Sequence, residues 1–123
     1  MRIIYYDLET TGLQPLTGCD GIQIVQIGAL SMHRGQRNIF DDYLLPNIGV
    51  TQQATATHGL TYHNLHNKWE QGNAFLIEDG LLEFVKYIDN ISRSDYENEV
   101  ILVSIILRDV FPIFIWADSG GAQ

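Results

Sequence analysis

The chain predicts an α/β fold: a mixed sheet with a three-strand antiparallel meander, then a helix, then a central strand. Three observations carry that prediction. Apolar segments at residues 2–8, 22–31 and 36–44 are separated by brief connections, as in antiparallel strands that follow one another in space. Residues 74–91 repeat apolar side chains at three- and four-residue steps, the spacing of one helix face. Val100 to Leu107 is an unbroken apolar run, which reads as a strand buried on both faces.

The first strand is rich in β-branched and aromatic residues, Ile3-Ile4-Tyr5-Tyr6, which suit a pleated, packed surface. His33-Arg34-Gly35-Gln36 is the turn between the second and third strands, and Pro46 with Asn47 ends the third. Gln52 to His58 predicts one or two helical turns closed by Gly59 as the C-cap. Residues 61–73 are polar with little periodicity and read as a loop. In the following helix Ile77, Leu81, Phe84, Val85, Ile88 and Ile91 form the expected buried stripe, which Gly80 interrupts. Residues 92–98 are an acidic turn region.

A chain of 123 residues makes one domain, so residues 1–123 are taken together. An apolar content of 46% with mean hydropathy near zero indicates a globular protein in water, and no apolar run reaches a membrane span. No membrane partner is therefore expected. Strand-like sequence begins within two residues of Met1, leaving no space for a signal peptide. Cys19 is the single cysteine, so no internal disulfide forms, and a reducing compartment fits: intracellular, cytoplasm or nucleus. The net charge is −8, with Arg2, Arg34, Arg37, Lys68, Lys86, Arg93 and Arg108 scattered along the chain. That balance argues against a general nucleic-acid-binding surface and implies weak, salt-sensitive binding of any nucleic acid.

The chemistry lies in Asp7-Leu8-Glu9-Thr10-Thr11-Gly12-Leu13. Side chains alternate across a strand, so Asp7 and Glu9 leave the same face. Two adjacent carboxylates at the end of an apolar strand repel each other and need a cation or a shared proton. Hard oxygen ligands favour Mg²⁺ or Mn²⁺. The Thr-Thr-Gly that follows offers hydroxyls, free backbone N–H groups and a tight turn, suited to a phosphate.

That string resembles the first motif of the DEDD, DnaQ-like 3′–5′ exonucleases, a family with a ribonuclease H-like fold. Ile22-Gln23-Ile24-Val25-Gln26-Ile27-Gly28-Ala29-Leu30 is similar to the family's second strand, and Ala54-Thr55-Ala56-Thr57-His58-Gly59-Leu60-Thr61 to its A-x-x-x-H-G-I-T segment. Three matches in family order cover residues 1–61. The resemblance implies hydrolysis of phosphodiester bonds at a nucleic-acid 3′ end, DNA or RNA, with two divalent ions. It assigns Asp7 to bridge both ions and Glu9 to hold the ion on the nucleophile side. The terminal nucleotide would be gripped by Thr10, Thr11 and Gly12, with Leu13 against its base, and His58 would be structural or substrate-side.

The rest of the family pattern is thinner. Its second motif, L-V-A-H-N-x-x-F-D, is matched by Leu102-Val103-Ser104-Ile105-Ile106-Leu107-Arg108-Asp109, with His-Asn replaced and Asp109 one residue early. Asp109 is the candidate third carboxylate and metal ligand, against the plain reading of a surface Asp capping a turn. The third motif, which carries the general base and a fourth Asp, is absent: the sequence ends 14 residues after Asp109, and Asp118 substitutes only by folding back. The chain therefore reads as an exonuclease domain truncated at its C-terminus. His33, His63 and His66 read as solvated turn or loop residues, and no oligomeric state follows from the sequence. The competing function is a catalytically inert domain of the same fold that binds a nucleic-acid end or a protein.

Overall fold

The computed structural model describes residues 1–12, 21–94 and 99–104. Five strands and three helices are present among them: β1 (Arg2–Thr10), β2 (Ile24–His33), β3 (Gln36–Leu45), α1 (Gln52–His58), α2 (Tyr62–Glu70), β4 (Phe75–Leu76), α3 (Ile77–Arg93) and β5 (Val100–Ser104). The strands lie in the order β4-β3-β2-β1-β5. β2 and β3 are joined by Arg34 and Gly35 alone, at φ 50° and 79°. Two successive left-handed residues match the natural twist of an antiparallel hairpin. β5 runs parallel to β1, pairing Ile3 with Ile101 and Tyr5 with Val103, and β4 runs parallel to β3. The sheet is therefore mixed, as the sequence predicts.

The chain divides into two compact units. In the first, built from Met1–Asp7, Gly28–Asp41 and the described residues from Glu83 onward, Ile4, Ala29, Tyr87 and Ile91 form the core, with Tyr6, Phe40, Phe84, Ile88 and Val100 packed on it. Phe40 lies 5.3 Å from the rings of both Phe84 and Tyr87. Arg2 is buried here and is not a surface cation: its guanidinium donates to Ser94 Oγ at 2.9 Å and Ser31 Oγ at 3.1 Å, while Nε has no partner. In the second unit, Leu8–Ile27 and Asp42–Leu82, the core is Val25, Leu45, Leu60 and Leu65.

Four expectations are corrected. Residues 61–73 are not a loop, because Thr61 caps α2: its hydroxyl accepts from Asn64 N–H at 3.1 Å, and the Asn64 side chain accepts from Thr61 N–H at 3.3 Å. One fully buried side chain, Leu65, anchors that helix, too little for an apolar stripe to reveal it. The segment expected to be helical from residue 74 instead opens with β4, and the helix starts at Ile77. The expected stripe of α3 holds at Phe84, Ile88 and Ile91, which lie in or against the core, but Leu81 and Val85 are 40% and 57% exposed while Gly80 and Tyr87 are buried. Gly80 is where Leu44 crosses closely; a Cβ there would lie 2.7 Å from Leu44 Cγ. Finally, β5 is not a strand buried on both faces. Among the described residues it ends the sheet order, and Ile101 and Leu102 are 42% and 47% exposed.

Candidate active site

β1 continues through Asp7, Leu8, Glu9 and Thr10, so the acidic pair lies on the strand itself. Alternation gives the two carboxylates one face, and both residues are half-buried. Each is engaged in an interaction within the protein.

Beyond β1 the chain turns, and the turn is fixed from several directions. Thr11 is fully buried: its N–H donates to Gln23 O at 2.8 Å, and its hydroxyl accepts from Gln23 N–H at 3.1 Å. Gln23 is in turn clasped by the Asn47 side chain and accepts from Asn47 N–H at 2.9 Å. Gly12 adopts φ 121°, and a Cβ at this position would collide with the Thr51 side chain, so only glycine fits. Gly12 N–H donates to Thr10 Oγ1 at 3.3 Å.

α1 is tied to this turn at both ends. Thr51 caps its start, accepting from Ala54 N–H at 3.0 Å, and Thr51 N–H donates to Thr11 O at 2.9 Å. At its finish His58 Nδ1 accepts from Leu60 N–H at 3.1 Å, which leaves the proton on Nε2 to donate to Thr10 O at 2.9 Å. Gly59 closes α1 in the left-handed conformation, φ 78°, as the sequence predicts. The seven-residue helix works as a brace across the exit from β1.

The expectation of free backbone N–H groups in Thr10-Thr11-Gly12 is therefore corrected. The N–H groups of Thr11 and Gly12 are both spent inside the protein, because the turn needs them to hold its shape. His58 has both ring nitrogens on backbone partners, Thr10 O and Leu60 N–H. Leu13, Cys19, Asp109 and Asp118 lie outside the described residues. Among the described residues no three His, Cys, Asp or Glu side chains form a metal-binding group. His63 and His66 are on α2 and not in a loop; His66 Nδ1 pairs with Glu70 Oε1 at 2.7 Å. Sequence reading missed Thr51 and Gln23, the residues that lock the turn. The signal for Thr51 was its place just before a helix, the usual position of a capping hydroxyl.

Comparison with known proteins identifies the class. The family model described as Exonuclease matches residues 4–108. The chain belongs to this exonuclease family, the DEDD, DnaQ-like enzymes. A DNA polymerase III subunit epsilon-like protein of Rhodobacter capsulatus is 39% identical over 64 residues, which cover 50% of this chain and 9% of that protein. An exonuclease I–SSB C-terminus complex shares the fold at TM-score 0.54 and 13% identity, over 90% of this chain and 22% of that one. Exonuclease X in complex with 5′-overhanging duplex DNA is similar at TM-score 0.48 and 25% identity, over 67% of this chain and 42% of that one. The chain thus spans less than half the length of each of these relatives. The sheet and helices are those of the ribonuclease H-like exonuclease fold. No described helix is long and apolar enough to cross a membrane.

Proposed function

We propose that this chain is a 3′–5′ exonuclease domain that removes nucleotides from a DNA or RNA 3′ end with divalent metal ions. The observation that carries the reading is the pair Asp7 and Glu9 on one face of β1, immediately before a turn that admits no residue but Gly12. Members of the family generally use divalent metals. The donor set fits: two hard carboxylates on one strand face suit Mg²⁺ or Mn²⁺, which commonly take one or two protein carboxylates and fill the remaining positions with water and substrate phosphate. Asp7 and Glu9 would hold the metal, with Asp109 as the third ligand. Metal bound there supplies Lewis-acid stabilisation of phosphate charge and a water of lowered pKa. The residues themselves carry the acidic pair on β1, whose end is fixed through Thr11, Thr51 and His58. Thr10 is half-buried and, with Leu13, is the contact proposed for the terminal nucleotide. The cell compartment proposed remains the cytoplasm or nucleus.

The test is digestion of a 5′-labelled single strand in Mg²⁺ or Mn²⁺. A ladder shortening from the 3′ end is expected, lost with EDTA and reduced by at least about 10²-fold in Asp7→Ala. Metal-dependent shortening that persists in Asp7→Ala refutes the assignment.

A second reading is favoured by one observation, the net charge of −8, which works against repeated engagement of a polyanionic substrate. In it the domain binds nucleic-acid ends or a protein without cutting. Retained binding with no product in Mn²⁺ supports it, and reproducible product release excludes it.

A further inference from the structure

We propose that His58 positions the Glu9 carboxylate for metal, acting through the Thr10 carbonyl and touching neither metal nor substrate. The inference rests on the metal-dependent reading above and names a residue that sets the affinity of its site. Glu9, Thr10, α1 and the core around Leu60 belong to the same compact unit. The two carbonyls that follow that of Glu9 are both held by α1 and its cap. Thr10 O accepts from His58 Nε2–H at 2.9 Å, and Thr11 O accepts from Thr51 N–H at 2.9 Å. A peptide unit is planar, so fixing its oxygen orients the whole unit. Only the φ and ψ of Thr10 separate the unit held by His58 from the one that begins at the Glu9 carbonyl. Freeing Thr10 O therefore frees the backbone from which the Glu9 side chain is aimed.

The ring can do this because it is itself fixed. Gly59, at φ 78°, bends the chain after α1 so that Leu60 N–H donates to His58 Nδ1 at 3.1 Å. Leu60 is buried with Val25, Leu45 and Leu65, and its carbonyl accepts from Thr55 Oγ1 at 2.7 Å. Since Nδ1 accepts, Nε2 carries the ring proton and donates. One small planar group thus takes a bond from the core residue and gives one to the exit of β1. A side chain with only a donor or only an acceptor makes half of that link. The other bond of the clamp, from Thr51 N–H, is main chain and survives any change of side chain at residue 58. A substitution of His58 therefore releases Thr10 O selectively. Residues that support metal-binding carboxylates from outside the coordination sphere commonly change metal affinity when altered.

The experiment measures Mn²⁺ uptake by the full chain, with melting curves to verify that every variant is folded at the measuring temperature. His58→Asn keeps an acceptor as many bonds from Cα as Nδ1, and His58→Gln keeps a donor as many bonds from Cα as Nε2. His58→Ala and His58→Asn should weaken Mn²⁺ affinity roughly tenfold, whereas His58→Gln stays within about threefold of the parent. Thr61→Ala, which loosens the cap of α2 in the same unit, should leave affinity unchanged. In the metal-free chain at alkaline pH, imidazole nitrogen shifts should place the ring proton on Nε2. Parent affinity in His58→Ala, equal losses in the Gln and Asn variants, a matching loss in Thr61→Ala, or a ring proton on Nδ1 overturns the proposal. So does weaker binding of a labelled oligonucleotide with metal affinity intact, which would set the ring against the substrate. Its fate is separable from that of the nuclease reading. Uptake that depends on Asp7 but ignores His58 ends the positioning role and leaves the nuclease standing; no uptake by the parent ends both.

Discussion

Tyr87 shows how a single buried side chain ties this protein's stability to pH. Its hydroxyl donates to Asn38 O at 2.6 Å, and burial pushes its pKa up to about 12, although the nearby Arg2 charge pulls the other way. In the unfolded chain the phenol loses its proton near pH 10. The native state holds the proton longer, so this contribution is complete below about pH 10 and disappears as pH rises through about 12. It amounts to on the order of 2 kcal/mol. Urea midpoints measured between about pH 9 and 12 should therefore fall more steeply for the parent chain than for Tyr87→Phe. Parallel curves would refute the account. At the same scale, Asp7 and Glu9 were legible because strand alternation needs only a strand to be right. The occupied N–H groups of Thr11 and Gly12 were not: the first bonds to Gln23 O, which depends on how the chain returns into β2, and the second to Thr10 Oγ1, which depends on the conformation of the turn itself.

Among the elements, α2 rests most on a local device. Thr61→Ala removes the hydroxyl that accepts from Asn64 N–H, leaving only the bond from the residue-61 N–H to the Asn64 side chain, and should cost about 1 kcal/mol of stability with faster amide exchange through residues 62–66. Unchanged exchange there would show that Leu65 alone holds the helix. β1, β2, β3 and α1 were readable because their patterns are self-contained: alternation, a two-residue turn and a capping glycine. α2 hid because its exposed face is aromatic and its buried face is one leucine. In α3 the apolar count put Leu81 and Val85 inside with Phe84, Ile88 and Ile91, yet the partners available, Leu44 against Gly80 and Phe40 against Phe84 and Tyr87, turn the helix far enough to leave those two exposed. β4 pairs only two residues, Phe75 and Leu76, with β3, too short for any periodicity. The uniform run at β5 could not reveal that the strand ends the described sheet order, because apolar composition does not encode strand position.

For the molecule as a whole, family membership and charge pull in different directions. An exonuclease must approach a polyanion, yet this chain is acidic, and Arg2, one of its seven Lys and Arg residues, is buried under hydroxyl partners. In the function proposed above, cation binding at Asp7 and Glu9 would offset part of that charge where the substrate end would sit. Metal affinity at the acidic pair is thus the claim on which the proposed function turns. Electron paramagnetic resonance of free Mn²⁺ during titration with the full chain measures it directly. Saturable uptake is predicted, lost in Asp7→Asn and reduced in Glu9→Gln, with both variants melting as the parent does. Uptake of equal strength in the parent and Asp7→Asn, or none in either, would contradict it.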